Sequence, residues 1–160
     1  MNPEYREITK EDLKIYESLM LPMVYEELNE QDEINDYICI ASWLNNEPAG
    51  VLIAELEESG DINLLSIWTE PKYRRMGVAS ALHEKMNTVA VNLYDWEEDQ
   101  YGDDILIKTM YCLSPKYREV FEAWLEANDY TDFCVLRDES ADTPEICSAT
   151  AEVHFFRTGE

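Results

Sequence analysis

The stretch that decides the fold is residues 64–82, LLSIWTEPKYRRMGVASAL. The apolar run at 62–68 predicts a strand, and Pro71 closes it because proline cannot continue a sheet ladder. Beyond Gly77, apolar residues recur at spacings of three and four, which predicts a long helix. Its apolar stripe is Val78, Leu82, Met86, Val89, Ala90 and Leu93. The stretch is therefore a strand, a basic loop that contains glycine, and a helix.

Three basic residues, Lys72, Arg74 and Arg75, gather just before this helix, although the chain has only 12 lysines and arginines. The first turn of a helix carries unpaired N–H groups and a positive dipole end, so cations there indicate an anion among them. Gly77 lets the backbone approach that anion without a Cβ in the way, and Ala79 keeps the next contact small. The pattern predicts a phosphate or pyrophosphate site. The alternative is a solvated basic loop that balances nearby acid.

Length and composition fit one domain. The 160 residues are 46% hydrophobic and 29% charged, which is ordinary for a globular protein with a core of useful size. The charge is not ordinary, because 35 acidic residues give a net charge of −23. This charge disfavours nucleic-acid partners and anionic membrane surfaces and favours cationic small molecules or basic partners. It can also serve solubility alone.

The sequence predicts a cytoplasmic protein. The first twenty residues lack a basic start followed by an apolar run, and no run approaches the ~18 apolar residues of a membrane span. Cys39, Cys112 and Cys134 lie in apolar runs, which predicts buried, reduced thiols. His83 and His154 are too few and too scattered for a metal site, so no metal is expected.

The remaining periodicity predicts an alternation of strands and helices. Predicted strands cover residues 5–8, 36–44, 49–56, 62–68, 105–113, 130–137 and 149–156. Predicted helices begin after Thr9, at Met23, at Val78 and at Ser114-Pro115. The order is β-α-α-β-β-β-α-β-α-β-β. Strand–helix–strand passages between residues 62 and 133 predict parallel pairing there, and hairpins predict antiparallel pairing elsewhere, in a mixed α/β domain.

Residues 64–82 resemble the acetyl-CoA-binding signature of the GNAT N-acetyltransferase superfamily. That signature is arginine or glutamine, two residues, glycine, one residue, then glycine or alanine, and Arg74, Gly77 and Ala79 fit it. The preceding strand, the proline, the aromatic residue before the arginine and the order of elements also fit. The resemblance implies the GNAT-like acyl-CoA N-acyltransferase fold in a single domain over residues 1–160. This fold has a mixed, largely antiparallel central sheet with helices on both faces.

The resemblance also implies an activity and a cofactor site. The co-substrate would be acetyl-CoA, and the primary amine of a small-molecule or peptide acceptor would attack its thioester directly. Many relatives are dimers, so a homodimer is left open. Loop amides would hold the pyrophosphate, and the strand end would bind the pantetheine arm. The implied cofactor-binding residues are Ile67, Trp68, Thr69, Arg74, Arg75, Met76, Gly77, Val78, Ala79 and Ser80.

The general acid departs from the family pattern. Many members use a tyrosine in the helix that follows the next strand, but the matching positions here are Phe121 and Leu125, which lack a hydroxyl. Tyr117 is one turn early and more readily fits the apolar stripe of its helix, and Tyr111 on the adjacent strand is the other candidate. The alternatives are therefore a catalytically impaired CoA-binding or regulatory module, or an acidic protein that binds a basic partner.

The candidate general bases are carboxylates near the signature strand. Asp61 and Glu70 flank that strand, although both also read as solvated turn residues. The resemblance places Glu26, Glu27 and Glu30 of the second short helix on the acceptor side. Because carboxylates attract cations, this acidic group predicts a cationic amine such as a polyamine, an aminoglycoside-like amine, a lysine or a protein N-terminus.

Overall fold

The computed structural model describes residues 2–57, 61–93, 105–112, 115–135 and 146–153. The chain divides into two compact units, Met1–Glu57 with Leu64–Tyr94 and Glu58–Asn63 with Asp95–Glu160. The described strands are β1 Glu4–Glu7, β2 Tyr37–Leu44, β3 Glu47–Leu56, β4 Ile62–Thr69, β5 Ile105–Cys112, β6 Thr131–Val135 and β7 Ile146–Val153. The described helices are α1 Pro22–Glu30, α2 Val78–Leu93, α3 Pro115–Ala127 and two 3-10 helices, Leu13–Leu19 and Pro71–Tyr73. The mixed α/β class and the predicted order of elements are confirmed.

Strand pairing is antiparallel where its register is described. The pairs are β1 with β2, β2 with β3, β5 with β7, and β6 with β7. In the second unit the strand order is β5-β7-β6. Because β7 inserts between β5 and β6, these two strands are not neighbours, and the parallel pairing predicted across α3 is wrong.

Helices cover both faces of the sheet in the first unit, as predicted. The 3-10 helix and α1 pack on one face through a core formed by Leu13, Tyr16, Val24, Leu28, Cys39, Ala41, Val51 and Ile53. On the other face, Gly50 of β3 lies against Val78 and Leu82 of α2. Successive strand residues point to opposite faces, which is why Gly50 and Val51 meet different helices.

The first helical segment begins later than the sequence predicts. Thr9 Oγ1 accepts a hydrogen bond from the Asp12 N–H at 3.3 Å, but this bond closes a turn, and the 3-10 helix starts at Leu13. The next residue, Lys10, has its own partners, because its Nζ donates to the carbonyls of Leu28 at 2.8 Å and Asn29 at 2.6 Å. A cation suits these carbonyls because they form the negative end of α1.

Two cysteines have opposite environments. Cys39 is a free thiol with 3% exposure, and burial raises its pKa to about 12. Cys134 is exposed, as are residues 131–133 of the same edge strand β6, so the prediction of a buried thiol there is wrong. The Cys112 side chain lies outside the described residues. Within the part of the chain that is described, no helix has the length and apolar character that a membrane span needs.

Candidate active site

A short loop, residues 74–77, joins the end of the β4 region to α2 and is called the signature loop below. Arg75 and Gly77 have positive φ angles of 65° and 79°. Left-handed residues in a short loop turn backbone N–H groups toward a common side, as in the backbone nests that bind anions. Helix α2 starts directly afterwards, and its first intrahelical bond runs from the Ala81 N–H to the Gly77 carbonyl at 3.0 Å. The positive end of α2 therefore opens onto the signature loop.

Gly77 fits the phosphate cradle that the sequence predicts. A Cβ built on Gly77 meets no atom within 4 Å, so the space beside its backbone is open. Its φ of 79° is an angle that residues with a side chain rarely adopt. The position therefore needs glycine for its backbone conformation and leaves room for an anion.

The structure separates the basic residues that the sequence groups around one anion. Arg74 folds back onto β4, where its Nε donates to the Thr69 carbonyl at 3.0 Å and its guanidinium stacks 4.7 Å from the Trp68 ring centroid. Arg75 is exposed, and its side chain makes no hydrogen bond or ion pair within the described ranges. Arg75 is thus available to an external anion, and Arg74 braces the loop.

The β2–β3 hairpin holds the segment before the signature loop. Glu47 Oε2 accepts a hydrogen bond from the Tyr73 hydroxyl at 2.8 Å and lies 2.7 Å from Lys72 Nζ. The bonds from Lys72 and then Tyr73 lower the pKa of Glu47, and the bond to Glu47 raises the pKa of Lys72. The sequence predicts that Glu47 lies between the two hairpin strands at 36–44 and 49–56. Nothing in that local pattern shows that its carboxylate reaches Lys72 and Tyr73, which lie 25 and 26 positions later.

Gly50 sets how closely α2 lies to the sheet. A Cβ at Gly50 would be 2.7 Å from Val78 Cγ1, 3.0 Å from the Trp68 carbonyl and 3.2 Å from Leu82 Cδ1. Real Cβ atoms essentially never come within 3.0 Å of another heavy atom, so a larger residue at this position would push the start of α2 away. The sequence does not predict this role of Gly50, because a glycine inside a strand does not reveal which residues pack on it.

Helix α1 begins against the middle of β4. The Leu21 N–H donates to Ser66 Oγ at 3.3 Å, and Met23 in the first turn of α1 is 72% exposed. The carboxylates that the sequence predicts for the acceptor side lie further along α1 and are all exposed: Glu26, Glu27 and Glu30.

A group of carboxylates that the sequence did not predict as a group lies around Tyr37 and Glu55. Tyr37 lies opposite Glu55 in the β2–β3 register, and burial, followed by the charges of Glu27 and Glu55, raises its pKa to about 12. Burial raises the pKa of Glu55 as well, with repulsion from Glu27, Glu57 and Asp36. We call Glu27, Asp36, Glu55 and Glu57 the acidic cluster. Its members converge from α1, β3 and the residues next to β2 and β3.

The two candidate bases do not form a pair. Asp61 precedes β4 and Glu70 follows it, so the carboxylates lie at opposite ends of one strand. Both side chains are half-buried. The Glu70 N–H donates to the Ala49 carbonyl at 2.8 Å, which ties the end of β4 to β3.

The structure describes the two tyrosines considered as general acids to different extents. The Tyr111 backbone pairs with Cys147 in the β5–β7 register, and its side chain lies outside the described residues. Tyr117 is 63% exposed, so the interpretation that it packs in the apolar stripe of α3 is wrong. Burial on α3 is concentrated toward its end, where Leu125 is fully buried.

A cavity of about 620 Å³ lies away from the signature loop. It runs beside β1 and β2 and is lined in part by Tyr5, Ile38, Ile40 and Lys85. None of the predicted cofactor-binding residues lines it, so we assign it no part in the candidate active site.

The sequence profile of the acetyltransferase (GNAT) family matches residues 3–95, which is more than half of the chain. No curated protein matches this sequence. Solved structures with the same fold include a GNAT-family protein from Desulfovibrio desulfuricans, with 14% identity, a TM-score of 0.73 and coverage of 95% of this chain and 99% of that one. The ribosomal-protein-S18-alanine N-acetyltransferase from Escherichia coli has 14% identity, a TM-score of 0.67 and 99% coverage of both chains.

A third solved structure contains a CoA ligand. It is the PaiA N-acetyltransferase from Thermoplasma acidophilum in complex with coenzyme A, with 13% identity, a TM-score of 0.57 and coverage of 92% of this chain and 98% of that one. At these identities the structures establish a shared fold, and the profile match establishes the family. The resemblance noted in the sequence is confirmed: this chain belongs to the GNAT acetyltransferase family.

Proposed function

We propose that this protein is an N-acetyltransferase that moves the acetyl group of acetyl-CoA to the primary amine of a cationic acceptor. Membership of the acetyltransferase family supports the acetyl transfer. The observation that carries the proposal is Gly77, which has a φ of 79° and open space beside it directly before α2. A helix N-terminus that follows a glycine loop suits a pyrophosphate, because unpaired N–H groups and the dipole both favour negative charge.

Several residues would share the work of holding the co-substrate. Backbone N–H groups of residues 75–80 would hold the pyrophosphate, and the Arg75 side chain would add positive charge. The end of β4, at Ile67, Trp68 and Thr69, would offer its backbone to the pantetheine arm. Arg74 supports this strand end through its bond to the Thr69 carbonyl.

Acetyl-CoA would supply an activated thioester carbonyl, and the protein would supply proton transfer and charge stabilisation. A base must remove a proton from the acceptor amine, and Asp61 and Glu70 are the candidates. A backbone N–H of a strand would donate to the developing oxyanion. The departing thiolate needs a proton donor, for which Tyr111 is the candidate.

Charge supports a cationic acceptor. The chain carries a net charge of −23, and α1 presents exposed Glu26, Glu27 and Glu30. The bond between Leu21 and Ser66 places the start of α1 beside β4, and Glu27 continues into the acidic cluster. Carboxylates grouped in this way raise the local concentration of cations and steer them inward. A small-molecule amine and a peptide amine both fit this description.

The first test is thermal melting with acetyl-CoA, with ATP as the anion control. Acetyl-CoA at ~100 times its dissociation constant should add about 2.7 kcal/mol, which raises the melting temperature by several degrees. Free thiol release is then measured with 1,4-diaminobutane and with butylamine, which has the same carbon chain and one amine fewer. We expect faster thiol release with the diamine than with butylamine. A rise in melting temperature with acetyl-CoA, together with no thiol release with any amine, would contradict the proposed acetyl transfer.

A paired substitution tests which arginine meets the phosphate. We expect Arg75→Gln to weaken CoA binding about tenfold and to flatten its salt dependence, because an exposed phosphate contact is screened by salt. Arg74→Gln is the matched control and should weaken binding with the salt dependence retained, because Arg74 donates to the Thr69 carbonyl and stacks on the Trp68 ring. Isothermal titration calorimetry at two salt concentrations gives both quantities. If CoA affinity has the same salt dependence in wild type and in Arg75→Gln, Arg75 does not contact the phosphate.

A further inference from the structure

We propose that Glu47 is a positioning residue that holds the signature loop in its CoA-binding shape from the β2–β3 hairpin. This inference rests on the proposed function, since it concerns the same loop. Glu47 lies on a different element from the signature loop and would not touch the acetyl group or the acceptor.

Glu47 contacts both residues that lead into the signature loop. Its Oε2 accepts the Tyr73 hydroxyl at 2.8 Å and the Lys72 ammonium at 2.7 Å. Both partners belong to the 3-10 helix that ends directly before Arg74. The Tyr73 side chain is 5% exposed, so its hydroxyl is fixed inside the fold and the carboxylate has a rigid partner. One carboxylate thus restrains the two residues that lead into the signature loop.

The hairpin that carries Glu47 has a tight, well-defined turn. Asn45 and Asn46 have φ angles of 53° and 65°, and Leu44 pairs with Glu47 across the turn. Two left-handed central residues form the tight hairpin turn that matches the twist of its strands. The Asn45 side-chain amide also donates to the Tyr73 hydroxyl at 3.3 Å. The carboxylate therefore projects from a fixed turn.

The contacts of Glu47 affect the conformation that the signature loop has before CoA binds. Arg75 and Gly77 adopt positive φ angles, and an unrestrained loop would also populate other backbone conformations. Restoring the binding conformation when CoA binds would then reduce affinity. A loop held from the hairpin is already in the binding conformation. Loss of Glu47 should therefore raise the Kd and the KM for acetyl-CoA, with kcat and the KM for the amine unchanged.

Three variants separate the contacts. Glu47→Ala removes both bonds, Tyr73→Phe removes the hydroxyl and keeps the ring, and Glu47→Gln keeps an oxygen that accepts the Tyr73 hydroxyl. Glu17→Ala is the matched control, because Glu17 makes an exposed ion pair with Lys14 at 3.2 Å. Two readouts are independent of turnover: CoA affinity by calorimetry, and hydrogen exchange of the amides of residues 74–78 in the ligand-free protein.

We expect Glu47→Ala to weaken CoA binding about tenfold and to speed exchange of the loop amides, since a lost hydrogen bond of this kind changes an equilibrium by about that factor. Tyr73→Phe should act in the same direction, and the double variant Glu47→Ala/Tyr73→Phe should weaken binding by less than the sum of the two single effects, because the bond between the two side chains is lost only once. Glu47→Gln should recover most of the affinity, and Glu17→Ala should match wild type.

The inference is overturned if Glu47→Ala binds CoA with wild-type affinity. It is also overturned if this variant lowers kcat and raises the KM for both acetyl-CoA and the amine. A failure of the proposed function looks different, because wild type itself would then bind no CoA. In that event the exchange experiment still decides the role of Glu47. Faster exchange of the loop amides in Glu47→Ala would support the positioning role, and unchanged exchange would overturn it.

Discussion

Replacement of Gly77 by valine should reduce CoA affinity by about 100-fold, the largest effect that we expect from one substitution in the signature loop. The φ of 79° is a poor conformation for a β-branched residue and costs about 1–3 kcal/mol, so either the loop relaxes or the fold loses that stability. The new side chain also enters the open space beside the Gly77 backbone. Calorimetry with CoA and thermal melting without it measure the two effects separately.

Gly77→Asn is the control that distinguishes the two causes. Asparagine tolerates left-handed angles far better than valine does, so this variant keeps the loop conformation while adding a side chain. Loss of binding in both variants would show that the ligand needs the open space. Loss in Gly77→Val alone would show that the backbone conformation matters most. Wild-type CoA affinity in Gly77→Val would show that the pyrophosphate does not bind at this loop.

The signature loop was predictable from the sequence because its determinants are local. The strand, the basic residues, Gly77 and the amphipathic helix are contiguous, and each follows from a pattern within a few residues. The residues that support the loop were not predictable. Glu47 reaches Tyr73 across 26 positions, and Gly50 meets Val78 across 28, so their roles exist only in the folded chain.

The strand order also depends on residues that are distant in the sequence. The passage from β5 through α3 to β6 predicts parallel neighbours, because such connections usually return to the adjacent position. β7 comes last in the sequence and takes the place between them, where Ile146 pairs with Cys112 and Val153 with Ile105. This pairing also begins three residues before the predicted strand at 149–156. A partner strand, which the local pattern does not reveal, decided both the order and the boundary.

Replacement of Gly50 by alanine should weaken CoA binding about tenfold and lower the free energy of unfolding by about 1–3 kcal/mol, the usual range for an overpacked core. The added Cβ would lie 2.7 Å from Val78 Cγ1 and 3.0 Å from the Trp68 carbonyl. Valine in a helix holds one strongly preferred χ1 rotamer, so Val78 relieves the contact chiefly by moving with the start of α2, and the carbonyl belongs to the strand backbone. The substitution therefore shifts the helix N-terminus, which is where we propose that the pyrophosphate binds.

A rescue variant tests whether this contact is the cause. Val78→Ala removes the nearest atom, so the double variant Gly50→Ala/Val78→Ala should bind CoA more tightly than Gly50→Ala alone, while Val78→Ala by itself gives the cost of the lost methyl groups. Urea unfolding and calorimetry on all four proteins complete the cycle. Strictly additive effects on CoA affinity would mean that Gly50 does not act through α2. A coupling that appears in affinity would show that the distance between β3 and α2 sets the shape of the anion site.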